Sequence, residues 1–174
     1  MTPCSVCRVP FTPPPQLPDA HVCSIRCAKR VPVIAGKREK ERDKARREAL
    51  KPRKKWLAET QTAFNAFIRK RDERLGCISC GTHNGKANAG HFLSVGARPE
   101  LRFNERNCAL QCERCNTYLH GNLIAYRVEL IRRIGLWEVE RLEGPHSALK
   151  PTVDELKALK AHYRARVKAM EAAQ

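Results

Sequence analysis

The chain of 174 residues has no apolar run of about 18, the length that a membrane-crossing helix needs. Its opening, M-T-P-C-S-V-C, also lacks the apolar core of a secretory signal. These absences speak against membrane-crossing helices and give the expectation of a soluble, cytoplasmic protein. Acidic residues are scarce: 18 Asp and Glu stand against 34 Lys and Arg, a formal net charge of +16. So large an imbalance calls for a polyanionic partner or a membrane surface, and nucleic acid is the leading expectation. No internal repeat longer than a cysteine pair occurs, and no base-reading motif of known spacing is present. Apolar residues make up 42% and charged residues 30%, so solvated helix around small cores is expected. A chain of this length can nevertheless bury roughly two thirds of its unfolded surface, as one domain or two small ones.

Cysteine is plentiful by contrast. Of nine, eight fall into four close pairs and Cys108 is left over. Close pairing suits metal knuckles in a reducing compartment better than a framework of long-range disulfides. Cys77, Cys80, Cys112 and Cys115 read as one structural zinc site, because each knuckle presents two sulfurs to the same side of a turn. Four soft ligands close a tetrahedral ion completely. Cys4, Cys7, Cys23 and Cys27 make a second site, in a finger too small to fold by burial alone. Structural zinc would supply on the order of 10 to 16 kcal/mol of its folding free energy. The expectation is about two zinc ions per chain. His21 is near enough in sequence to compete as a ligand, against the plainer reading of an exposed loop histidine.

Residues 1–30 thus read as an N-terminal zinc finger and 31–55 as a basic arm or linker. In the arm, alternating charge and good helix formers predict a helix from about Gly36 to Leu50, interrupted by Pro52. It has no apolar stripe to pack. It is either a linker or a cationic arm along a phosphate backbone, using Lys37, Arg38, Lys40, Arg42, Arg46, Arg47, Lys51, Arg53, Lys54 and Lys55. Residues 56–174 form the remaining domain. Trp56, Thr60, Ala63, Phe64, Phe67, Ile68 and Leu75 recur at helical spacing, which predicts a helix from Lys55 to Leu75 ended by Gly76, its aromatic residues in the core. Further helices are predicted over 122–134 and 137–142. The last is capped by Thr152 with Glu155, with Val153, Leu156, Leu159, Tyr163, Val167 and Met170 as its stripe.

Without the thiolates, the central stretch keeps Asn88, His91, Asn104, Asn107, Asn116 and His120. If a helix begins just after Cys112, Asn116 and His120 stand at i and i+4 on one face and can reach one cation. His91 lies in a segment, 87–95, that reads as a strand or hairpin arm facing that helix. Phosphodiester hydrolysis needs a base for water, positive charge on the phosphorane oxygens and help for the leaving oxygen. A neutral histidine meets the first need and a divalent ion, Mg2+ or Mn2+, the other two.

The pattern Cys-x-x-Cys, Gly-His, an asparagine five residues before Cys-x-x-Cys, then Asn and His resembles the HNH endonucleases of the ββα-metal fold. The block L-R-F-N-E-R-N, with C-N and G-N-L-x-x-Y-R-V-E-L-I-x-R-I-G, and F-N-A-F-I-R-x-R-D before it, more closely resembles the NinG (Rap) recombination family of lambdoid phages. That resemblance implies an α+β fold: an HNH ββα-metal nuclease core with structural zinc, flanked by helices and an N-terminal zinc-binding finger. It implies a structure-specific endonuclease acting on branched DNA such as D-loops and Holliday junctions, leaving 5′-phosphate and 3′-hydroxyl ends, in the host cytoplasm. It makes His91 the general base and Asn107 the residue that holds the hairpin loop and the imidazole. Asn116 and His120 match the metal-liganding positions. The position before the base, often a metal ligand in HNH enzymes, is Gly90 here; Asn88 is the nearest substitute, and His91 could itself be a ligand. Paired cuts would favour a homodimer, and other recombination proteins are candidate partners. The competing class is a non-catalytic zinc-binding DNA- or RNA-binding accessory or regulatory protein. It explains charge and cysteines equally well, but not His91, Asn107, Asn116 and His120 together.

Overall fold

The computed structural model describes residues 1–173. It divides into two compact units, the first Met1–Lys51 and the second beginning at Pro52.

In the first unit, strands β1 (Thr2–Pro3) and β2 (Pro10–Phe11) pair antiparallel and are followed by helix α1, Ile25–Ala49. The finger and the basic helix therefore fall in one unit. The helix begins well before Gly36, where composition placed its start. Ser24 caps it by accepting a hydrogen bond from the Cys27 amide at 3.3 Å, and Pro32 is carried inside. Proline lacks the N–H for one helical bond and reads as a breaker in the sequence, yet seven helical residues precede it here. Cys27 is the one buried residue of α1, so no stripe announces the early start.

The second unit holds α2 (Arg53–Arg71), β3 (Ala87–His91), β4 (Cys108–Cys112), α3 (Leu123–Ile134), α4 (Leu136–Glu143) and α5 (Val153–Ala172). Helix α2 stops before the expected Leu75, because Asp72 caps it and turns its carboxylate inward. The buried Asp72 carboxylate accepts from both Arg71 Nε and Nη2 and from the Leu110 amide at 3.0 Å, which ties the helix end to β4. Leu75 is left exposed. Gly76 thus ends no helix. It occupies a turn at φ +71°, where a Cβ would stand 2.7 Å from the Gly81 carbonyl, so both conformation and space require glycine.

Strands β3 and β4 form a two-stranded antiparallel sheet in the register Ala87↔Cys112, Gly90↔Ala109 and His91↔Cys108. Alternation sends successive side chains to opposite faces. On one face Ala89 and Cys108 meet Phe64, Phe67 and Ile68 of α2 and Tyr163 of α5. Tyr163 packs edge-on to Phe64 at 5.1 Å and stacks on Phe67 at 5.3 Å. On the other face Ala109 and Phe92 join Ile78, Leu101, Tyr126, Leu130, Val139 and Leu142. Burying an aromatic residue of this size contributes about 1.5 to 3 kcal/mol, so a small sheet is held by two modest cores. Helix α3 turns Tyr126 and Leu130 inward and leaves Ile124 and Val128 at 86% and 68% exposure. The capping box at Thr152 and Glu155 opens α5, whose Leu156 and Tyr163 are buried.

Candidate functional site

The eight paired cysteines assemble as two groups, Cys4, Cys7, Cys23, Cys27 and Cys77, Cys80, Cys112, Cys115, with all ligand atoms of each group within 4.8 Å of one another. Neighbouring sulfurs are 3.5 Å apart for Cys7 and Cys23, and 3.7 Å for Cys80 and Cys112. Four sulfurs about 2.3 Å from a tetrahedral zinc ion would be separated by about 3.8 Å, so both groups could hold zinc. The turns supply the convergence. The Gly81 amide donates to the Cys77 carbonyl at 2.7 Å, and the Cys115 amide donates to Cys112 Sγ at 3.5 Å. Burial pushes the Cys77 thiol up, but amides of Cys112, Cys80 and Ser79 outweigh it and hold the thiol at about 7. Amides, that of Cys7 foremost, lower Cys4 to about 6, whereas the adjacent Cys7 thiol raises Cys23 to about 12. His21 belongs to neither group; its carbonyl accepts from the Ser5 amide.

Cys108 also stands outside both groups. It is buried in β4, and burial raises its thiol pKa strongly, so it stays protonated. Its Sγ is 3.8 Å from His91 Nδ1. His91 ends β3, and its Nε2 lies 2.9 Å from the Arg102 carbonyl, which can only accept a hydrogen bond, so that nitrogen carries the hydrogen. The imidazole is therefore the tautomer with a lone pair on Nδ1. Burial lowers its pKa, and the Arg102 charge adds to this; the bond to the Arg102 carbonyl opposes both by favouring the charged ring, but the net shift is downward and keeps the ring neutral.

Asn107 is fully buried and clamps the loop from Phe92 to Arg106. Its Oδ1 accepts from the Leu93 amide at 2.9 Å and its Nδ2 donates to the Leu93 carbonyl at 3.0 Å. Asn104 caps the short 3-10 turn beside it, accepting from the Arg106 amide. Asn116 faces the other side of the sheet from His91, next to Gly90. Asn88 is cross-strand from Gln111 on that same side. His120 is exposed and does not share a helical face with Asn116. The segment after Cys112 is one π-helical turn, Arg114–Tyr118, and the chain then swings through left-handed backbone at His120, Gly121 and Asn122. The cause is the knuckle: the Gly121 amide donates to the Cys115 carbonyl at 2.9 Å and closes the turn early.

Of the basic residues, Lys37, Arg38, Lys40, Arg42, Arg46 and Arg47 are exposed on α1. Lys51 is half-buried, Arg53 donates to the Pro151 carbonyl, and Lys54 and Lys55 are exposed in the first turn of α2. The sequence did not reveal the Arg102 carbonyl that sets the His91 tautomer, or the Tyr126 hydroxyl that donates to the Gly90 carbonyl at 2.9 Å. A backbone carbonyl has no signature in residue type, and the stripe expected of helix 122–134, Ile124, Val128 and Ile131 beside Leu123, Leu130 and Ile134, omits Tyr126; the structure buries Tyr126 and Leu130 and leaves Leu123, Ile124 and Val128 exposed.

These features define a strongly basic α+β protein built on two four-cysteine clusters and a small hairpin. A family description, Bacteriophage Lambda NinG protein, matches residues 1–173, and the chain belongs to the NinG family. Protein ninG of Escherichia phage lambda is 50% identical over 126 residues, 72% of this chain and 62% of that protein. The protein ninG of Escherichia phage 933W is 48% identical over 130 residues, covering 74% and 65%. That of Salmonella phage P22 is 48% identical over 126 residues, covering 72% and 62%. The chain thus matches just under two thirds of the length of these relatives. No solved structure matches it. Among the described residues no helix is long and apolar enough to cross a membrane.

Proposed function

We propose that the chain is a metal-dependent endonuclease of the HNH type that cuts branched DNA during phage recombination in the host cytoplasm. The observation that carries this reading is the state of His91, fixed through Nε2 by a carbonyl, neutral, and basic at Nδ1. A neutral imidazole held in one tautomer is what a general base for water requires. The Cys108 thiol at 3.8 Å is only a weak donor to that lone pair, and the attacking water has to displace it. His91 takes the proton of the attacking water, and Asn107 acts through the loop that carries the Arg102 carbonyl. Asn116 and Asn88, on the sheet face opposite His91, are the candidate holders of Mg2+ or Mn2+, which would supply charge neutralisation at the phosphate; His120, which left-handed backbone takes off the helical face of Asn116, is a third candidate only through the family resemblance. The arm from Lys37 to Lys55 contributes phosphate contacts and no sequence selection.

The test is cleavage of linear, D-loop and four-way-junction DNA with Mg2+ or Mn2+ and with a chelator, by wild type and His91→Ala. Loss of roughly 100-fold or more with unchanged DNA affinity is expected. Wild-type cutting by His91→Ala would remove His91 as the base. One observation favours the second reading, a zinc-bearing DNA- or RNA-binding accessory protein. The His91 ring nitrogens both lie against protein atoms, as those of a structural histidine do. No metal-dependent cutting of any substrate would select it.

A further inference from the structure

Gln111 is fully buried in β4 on the sheet face that carries Gly90. Its Nε2 donates to Ser79 Oγ at 2.7 Å and to the Gly121 carbonyl at 2.5 Å. A carbonyl accepts only from a donor, so the Gly121 bond fixes which end of the amide is nitrogen. The other end, Oε1, is buried and has no hydrogen-bond partner among the described residues. An amide oxygen left so costs about 1 to 3 kcal/mol, and such an atom calls for an explanation.

The oxygen is aimed at the space over Gly90. A Cβ placed on Gly90 would overlap Gln111 Oε1 and would stand 3.1 Å from Asn116 Oδ1. The backbone there does not require glycine, since its φ is not positive. What requires glycine is the room for these two oxygens. They lie close to one point, and two ligands of one octahedral Mg2+ or Mn2+ are about 3 Å apart when adjacent and about 4 Å when opposite.

We infer that Gln111 Oε1 and Asn116 Oδ1, facing each other across Gly90, form the protein's seat for one hard divalent cation, with Gln111 taking the ligand place that Gly90 cannot fill. This deepens the nuclease reading above and rests on it for its purpose. Both ligands are neutral, and the chain carries a formal charge of +16. The seat alone is therefore weak, and the balancing negative charge comes from a DNA phosphate, as is usual for Mg2+ at phosphoryl sites. A carboxylate at position 116 supplies that charge without DNA. The plain alternative is a carboxamide of Asn116 turned end for end, its nitrogen donating to Gln111 Oε1.

The experiment titrates the full-length, zinc-loaded protein with Mn2+ in the absence of DNA, following free Mn2+ by electron paramagnetic resonance. Zinc content and melting temperature are measured in parallel. Asn116→Asp is expected to bind Mn2+ at least 10-fold more tightly than wild type. Adding Gln111→Met is expected to remove at least 5-fold of that gain. Gly90→Ala in the Asn116→Asp background gives the same loss by displacing Oε1, and it serves if the methionine variant loses zinc. No gain in Asn116→Asp, together with a lower melting temperature, identifies the amide–amide hydrogen bond and overturns the seat. Equal Mn2+ affinity with and without Gln111→Met also overturns it and leaves an ordered water as the partner of Oε1. Cleavage by the same wild-type protein separates the two ideas. Cutting without the Mn2+ pattern sinks the seat alone; the Mn2+ pattern without cutting supports the seat and sinks the nuclease.

Discussion

Replacing Asn107 with Ala should weaken fold and chemistry together, although the side chain touches neither thiolate cluster nor the ring of His91. The carboxamide makes two good hydrogen bonds to Leu93, at 2.9 and 3.0 Å, and lies 3.5 Å from the Leu101 carbonyl. Alanine strands these backbone groups in a region where Asn107 itself has no exposed surface. Each unsatisfied group costs about 1 to 3 kcal/mol, so a loss of roughly 3 kcal/mol is expected. For a unit of this size that lowers the melting temperature by roughly 10 °C. The same loop carries the Arg102 carbonyl that holds the His91 ring, so loosening it frees the imidazole to turn. The assay is a thermal melt of zinc-replete protein beside cleavage of a four-way junction below the melt. The expected result is a lower melting temperature, cleavage reduced at least 10-fold, and zinc content and DNA affinity unchanged. A melting temperature within 2 °C of wild type would refute the clamp, and a normal melt with lost cleavage would give Asn107 a direct chemical role instead.

Elemental analysis should find about two zinc ions per chain. Cys112→Ser should lose one with collapse of the second unit. Cys108→Ser should keep both and cost about 1 to 3 kcal/mol for its buried hydroxyl. Neutralising several of the arm's Lys and Arg residues should flatten the slope of log affinity against log salt by about 0.9 per lost duplex contact; an unchanged slope would make the arm a linker. Burial lowers the His91 pKa below its ordinary value, so the folded state binds fewer protons than the unfolded state near that pH. The contribution of a neutral His91 is complete above about 6.5 and is lost as pH falls through the folded pKa. A ring resonance of His91 titrating at or above about 6.5 would contradict this.

The sequence was most legible where chemistry depends on spacing. Cysteine pairs three or four residues apart brought their sulfurs together as expected, and Thr152 with Glu155 formed the expected box. Helical periodicity found Phe64, Phe67 and Tyr163 because each contributes to a stripe. It failed at α1, where an exposed helix carries no stripe and Pro32 suggests a break. It failed again at Asn116 and His120, because a regular helix was assumed where the knuckle turns the chain into left-handed backbone. The Asp72 clamp on Leu110 was invisible for another reason: a charged residue at the end of an amphipathic pattern looks solvated, and only tertiary pairing makes it buried.

Cys27 stands in the first turn of α1, and this makes the ion a nucleus for helix formation. Starting a helix is disfavoured by a factor on the order of 1,000, or about 4 kcal/mol, because several residues are fixed before any hydrogen bond repays them. No other residue of α1 is fully buried, so packing offsets little of that cost. A metal gripping Cys27 together with Cys23 freezes the first turn in advance, and the charged segment beyond it only has to propagate. With the ion in place, 25 residues form a rod on the order of 37 Å long that presents its cations at fixed intervals. Stripped of the ion, the same residues would become a coil with identical charge and no fixed spacing. Zinc held at the finger would therefore set the stiffness of a surface that it never touches.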